Sequence, residues 1–120
     1  MVIIIDNSTE QAKVDAIIRR DKLIDIVEDN TPSKYRVDAG RFSMATSIFI
    51  RKTGLLGFLS SPAAQIYANK SILGEGANAL ITVYDPDFEK AALKIATEYE
   101  QLIQQPITLT KDYSNPFLKR

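Results

Sequence analysis

Two aspartates, Asp6 and Asp85, each stand where an apolar, β-branched run gives way to a helix signal. Were those runs neighbouring strands, the two carboxylates would meet at their ends, near Ser8, Asp87 and two helix N-termini. Hard cations take oxygen ligands, so the pair is a candidate Mg²⁺ site and catalytic site for phosphoryl or nucleotide chemistry. A plainer role competes with it. Asp and Ser at such positions accept hydrogen bonds from the orphan amides of a helix's first turn, and Asp85-Pro86 has the form of an N-cap followed by proline. The capping reading is preferred. On it the chain has no catalytic residue, no metal and no cofactor.

Arg36, Arg41, Arg51 and Lys52 gather around one predicted hairpin, with Tyr35, Phe42 and Phe49 among them. Basic groups beside strand aromatics are one way to hold single-stranded nucleic acid. Basic residues at hairpin ends also keep sheet edges from aggregating. The second reading is the simpler, and nucleic acid is not expected as a partner. Gly74-Glu75-Gly76-Ala77-Asn78 carries two glycines, but a phosphate loop follows a strand and opens a helix. This segment does the reverse and reads as a helix C-cap and turn. The oddest segment is Gly54-Leu55-Leu56-Gly57-Phe58-Leu59. Loops are polar as a rule, so Leu55, Leu56, Phe58 and Leu59 need cover. The chain's own core, another subunit or partner, or a ligand beneath a lid would supply it. With Phe49 these residues form the expected interface.

No histidine or cysteine occurs among the 120 residues. That excludes thiol catalysis, Cys/His zinc sites, His- or Cys-ligated haem, iron–sulfur clusters and His-based triads. Lys and Arg number 15, as do Asp and Glu. Zero net charge gives no general attraction to nucleic acid or an anionic membrane. Neither the N-terminal run nor residues 55–59 has the length of a membrane helix, and the start lacks the form of a signal peptide. A cytoplasmic protein without membrane contact is expected. Apolar residues at 45% and charged residues at 25% are globular proportions. A chain of this size buries enough core to fold without metal or disulfide.

The elements that must position these residues follow from periodicity. Val2–Ile5 reads as a buried strand. Ser8 with Gln11 fits a capping box, and Val14, Ile17 and Ile18 continue a helix from near Thr9 to at least Arg20. Leu23-Ile24-Asp25-Ile26-Val27 extends that helix or forms a second strand. The strand is favoured, because four of the five residues are β-branched or leucine. Glu28 to Lys34 is a loop. Tyr35–Val37 and Phe42–Ile50 are strands around Asp38-Ala39-Gly40, a three-residue hairpin loop. Phe42, Met44, Thr46, Ile48 and Ile50 share one face; Ser43, Ala45, Ser47 and Phe49 share the other. The second face is small until Phe49, so a neighbour can approach it closely. Ser61-Pro62 starts a helix containing Ile66, Tyr67, Ile72 and Leu73, which Gly74 caps. Ala79–Tyr84 is a strand, and Asp85-Pro86 opens a helix. Phe88, Ala92, Ile95, Tyr99, Leu102 and Ile103 form its apolar stripe. Pro106 ends it, and Ile107–Thr110 is a short strand.

This order resembles a ferredoxin-like α/β sandwich with an added β-hairpin. That is an α+β fold with a mainly antiparallel sheet and helices on one face. It implies that Val2–Ile5 pairs side by side with Leu80–Tyr84, as an Asp6–Asp85 site requires. Residues 1–110 make a single domain. Residues 111–120 form a polar tail that Tyr113 and Phe117 can pin. The expected function is a small self-associating interaction or small-ligand-binding domain without catalytic activity. It would act as a homo-oligomer or with a protein partner, through the open sheet face and the Leu55–Leu59 loop. The alternatives are a metal-dependent enzyme using Asp6 and Asp85 and a nucleic-acid binder using the basic hairpin.

Overall fold

A computed structural model of the chain describes residues 7–42, 45–53, 62–70 and 77–114. Helix α1 spans Asn7–Asn30, two residues ahead of the expected start and well past the expected end. It absorbs residues 23–27, which the sequence favours as a strand. Leu23, Ile24 and Val27 are buried, and their spacing sets them on one side of a helix. Burying each is worth about 1.5–3 kcal/mol, which outweighs a β preference of ~1 kcal/mol at most. The helix also takes residues 28–30 from the expected loop. Asn30 Nδ2 donates to the Ile26 carbonyl at 2.9 Å and to Glu98 Oε2 at 2.6 Å, and Thr31 Oγ1 donates to the Val27 carbonyl at 2.5 Å. The Thr31 bond engages a carbonyl that the helix C-terminus leaves unpaired, and the Glu98 bond ties this end to a distant part of the chain.

Strands β1 (Tyr35–Phe42) and β2 (Ala45–Lys52) pair antiparallel, with Phe42 opposite Ala45. The loop expected at residues 38–40 is therefore part of β1. Asp38 lies opposite Phe49 and Gly40 opposite Ser47. Three contacts hold this stretch extended. Arg36 and Arg51 flank the Asp38 carboxylate, and Thr46 Oγ1 donates to the Gly40 carbonyl at 2.6 Å.

Strand β3 (Ala64–Lys70) replaces the helix expected after Ser61-Pro62. Its backbone is fixed from both sides before the strand begins. The Ala63 amide donates to the Ile50 carbonyl at 2.7 Å, and the Ala63 carbonyl accepts from the Tyr84 and Asp85 amides at 2.8 and 3.0 Å. Ala64, Ile66 and Ala68 are buried while Tyr67 is exposed, a period of two. Ladder bonds on both edges of a central strand override the local helix signal. Residues 72–74 of the expected helix lie outside the described residues.

The last third matches its expected element order, although the entry strand takes Ala77 and Asn78 from the expected turn and ends at Val83. Strand β4 (Ala77–Val83) leads to a single 3₁₀ turn (Pro86–Phe88), helix α2 (Glu89–Ile103) and strand β5 (Thr108–Lys111). Gln104 ends α2 in a left-handed conformation, φ 58°. A parallel pair needs such a crossover, and β5 runs parallel to β4.

The five strands lie in the order β1-β2-β3-β4-β5. This corrects the expected pairing of residues 2–5 with residues 80–84. A strand has two edges, and residues 80–83 already pair with β3 on one and β5 on the other. Residues 2–5 themselves lie outside the described residues. The fold is α+β: a mixed five-stranded sheet with two helices. Ile48, Ile50, Ile66 and Ile81 from one sheet face join Leu23, Val27, Phe88, Ile95 and Tyr99 from the helical segments in one core. Tyr113 packs against its rim.

Candidate functional site

One end of the sheet gathers the first residue of β1, the last of β2 and the turn after β4. There the Asp85 side chain is wholly buried. Tyr35 Oη donates to Asp85 Oδ2 at 3.1 Å, and Lys52 Nζ lies 3.4 Å from the same oxygen. The Asp87 amide donates to Asp85 Oδ1 at 2.9 Å. The rings of Tyr35 and Phe88 meet edge to face, centroids 5.1 Å apart. Lys34 Nζ stands 5.4 Å from the Tyr35 ring centroid and 3.8 Å from Asp87 Oδ2. Burial, then the charge and hydrogen bond of Asp85, hold the Tyr35 hydroxyl well above the ordinary phenol range. Tyr35 is thus a neutral donor at physiological pH.

Both oxygens of Asp85 have protein partners, and one of them is the amide of the first helical turn. The carboxylate is an N-cap that also clasps β1 and β2. Asp6 lies outside the described residues, so its distance from Asp85 does not enter. Among the described residues no group of three Asp or Glu side chains could hold a metal ion.

The basic hairpin divides. Alternation along β1 and β2 sends Arg36 and Arg51 to one face and Arg41 and Lys52 to the other. Each has a carboxylate at hand. Arg36 and Arg51 reach Asp38 Oδ2 at 3.0 and 3.6 Å, Arg41 reaches Asp21 Oδ1 at 3.3 Å, and Lys52 reaches Asp85. Leu55, Leu56, Phe58 and Leu59 lie outside the described residues.

Phe49 belongs to the sheet face turned away from the core, here the outer face, with the Arg51 guanidinium carbon 5.4 Å from its ring centroid. Register places outer-face residues in rows across the strands. Gly40, Ser47, Tyr67, Leu80 and Thr108 form one row; Asp38, Phe49, Gln65, Thr82 and Thr110 form the next. Tyr67 and Leu80 are directly opposite one another, 44% and 51% exposed. On β1 and β2, to one side of Tyr67, lies a depression of about 490 Å³, lined by Asp38, Gly40, Ser47 and Phe49 with Val37 and Ala39. The sequence places Tyr67 among the apolar positions of a helix and Leu80 in a strand, and assigns neither to a surface. The Ser61-Pro62 signal drew Tyr67 into a helix, although Ala64-Gln65-Ile66-Tyr67-Ala68-Asn69 alternates small or apolar with larger side chains.

The chain after β5 is tied to α2. Tyr113 Oη donates to Glu89 Oε1 at 2.5 Å, and Lys111 Nζ lies 3.2 Å from Glu89 Oε2. The Tyr113 hydroxyl is pushed up to about 12, by burial and then by Glu89. The hydrogen bonds from Tyr113 and Lys111 hold Glu89 below the ordinary carboxylate value. As pH rises past a free phenol's value of about 10, the unfolded chain loses this proton before the folded chain does. Tyr113 therefore stabilises fully below that value and loses its contribution as pH climbs toward about 12. The urea midpoint of the parent should exceed that of Tyr113→Phe near neutrality, and the gap should shrink in strong alkali. A gap unchanged by pH would remove the Tyr113–Glu89 bond from the account.

No protein-family model, curated protein or solved structure matches this chain.

Proposed function

We propose that the chain is a binding module without catalysis of its own, working through the outer face of its sheet. One observation carries this reading: Tyr67 and Leu80 face each other across β3 and β4, well exposed, in the interior of a five-stranded sheet. Phe49 adjoins them on β2. Large apolar side chains clustered at the surface mark interaction sites, and aromatic residues are enriched in such patches. The reading keeps one part of the ferredoxin-like expectation, in which both helices cover the same sheet face and leave the other free. Residues 55–59 belong to it on their apolar character alone. It needs no membrane, and no helix among the described residues is long and apolar enough to cross one. It is proposed to act in the cytoplasm. Burial of Asp85 weighs against the metal-dependent reading, and division of the basic hairpin weighs against nucleic acid.

A photoreactive benzophenone side chain in place of Tyr67 tests the surface in living cells. It is expected to yield discrete crosslinked species on irradiation. The same group in place of Leu93, exposed on α2, is expected to yield none. Silence at position 67, or equal labelling at both positions, would end the proposal.

A further inference from the structure

We infer that the occupant of the outer face is a second copy of this chain, packed sheet to sheet about a two-fold axis that runs along the strands over β3. The inference rests on the outer face being the working surface. It comes from how that surface would meet itself. Such an axis keeps each row level and lays β4 over β2 of the second copy, and β5 over β1. Leu80, the most exposed large apolar residue among the described ones, then meets Ser47 and the adjoining Gly40. Those two small residues line the depression of about 490 Å³. Leu80 and Ser47, which lines the hollow, occupy one row at equal distances on either side of β3. Tyr67, on β3 itself, meets its own copy at the axis. Such self-complementarity is what an isologous interface requires.

Charge follows the same symmetry. Arg36 and Arg51 are opposite one another on β1 and β2, one row beyond Val37 and Ile50. One row beyond Val83 and Lys111, at the far edge, is Asp112, whose amide continues the ladder by donating to the Val83 carbonyl at 2.8 Å. Lys111 and Tyr113 both reach Glu89, so Asp112 between them points to the outer side. The axis brings this carboxylate over the arginine corner of the second copy and keeps the arginine corners apart. Size agrees as well. Four strands of about seven residues and one of four, at ~4.8 Å between strands and ~3.3 Å per residue, give a flat footprint of roughly 500 Å². Side-chain relief raises the accessible area toward the ~800 Å² per partner of a standard interface.

The chain has no cysteine, so introduced thiols report contacts cleanly. Ser47→Cys protein mixed with Leu80→Cys protein should be joined 47 to 80 by a short bismaleimide, whose reach suits facing sheets packed ~10 Å apart. The yield should exceed that of Ser47→Cys mixed with Leu93→Cys by at least about tenfold, because Leu93 is on α2, away from the outer face, and lacks the raised effective concentration of a facing thiol. Unaltered chain should sediment as a dimer at micromolar concentration, and Leu80→Arg should weaken it by about thirtyfold or more. A monomer up to about 100 µM, or a 47–80 yield no higher than the 47–93 control, overturns the inference. If position 67 crosslinks to a different protein while the chain sediments as a monomer, the second-copy inference falls and the binding module stands. If position 67 captures nothing, both fall.

Discussion

Replacing Asp85 with alanine is expected to lower stability by about 2–4 kcal/mol. Three losses contribute. The cap bond to the Asp87 amide is worth about 1 kcal/mol. The Tyr35 hydroxyl, on a residue only 5% exposed, loses its acceptor, and a stranded buried donor costs about 1–3 kcal/mol. Lys52 adds little, because its side chain is 29% exposed and can turn to solvent. The middle loss is distinguishable from the others. Adding Tyr35→Phe to Asp85→Ala removes the stranded hydroxyl and should recover part of the deficit, whereas Tyr35→Phe alone should destabilise. Urea midpoints of the four proteins decide it. If Tyr35→Phe costs the same with and without Asp85, the clasp does not couple β1 to the start of α2.

Phe88→Ala should cost about 3–5 kcal/mol, the usual range for deleting a buried phenylalanine. Phe88 is fully buried, closes the 3₁₀ turn, and touches the Tyr35 ring edge-on. The cavity would open between the α2 N-terminus and the sheet, where Asp85 anchors the backbone on one side and helix packing holds it on the other. Little collapse is available to fill it. Leu93→Ala, on the exposed side of the same helix, should stay within about 0.5 kcal/mol. Thermal or urea unfolding compares the pair. A Phe88→Ala cost below about 1 kcal/mol would mean that α2 is not seated as described. Because Phe88 and Asp85 share Tyr35 as a neighbour, their effects should not add.

The readable and unreadable parts of this chain differ in how far apart the deciding partners are. Residues 79–110 are legible because each signal there is local. Asp85-Pro86 caps and opens the helix, six residues from Phe88 to Ile103 make one stripe, and Pro106 ends it. Residues 23–27 and 64–70 were misread because the groups that decide them are distant. Leu23 and Val27 become helical through a core assembled from four strands and α2. Residues 64–70 become a strand because β2 and β4 offer ladders on both edges. The clasp was half visible. Asp85 was identified as a cap, but Tyr35 lies 50 positions away, and nothing in local spacing connects them. The outer face was legible on β2, where small residues precede Phe49. It was not legible on β3, whose strand character was missed.

The sheet's free margins limit how this protein can aggregate. An exposed β-strand edge is a template on which further chains can add, layer after layer, into fibres. Among the described strands the two margins are β1 and β5. On β1, Arg36, Asp38 and Arg41 place charge along the margin, so an added strand would have to bury or displace ions at every second or third residue. On β5 only four residues are offered, and they end in Lys111. Short length and edge charge are the devices that block strand addition. The strand ladder is therefore a finite object, and growth beyond it must proceed through side chains, where contacts can close on themselves.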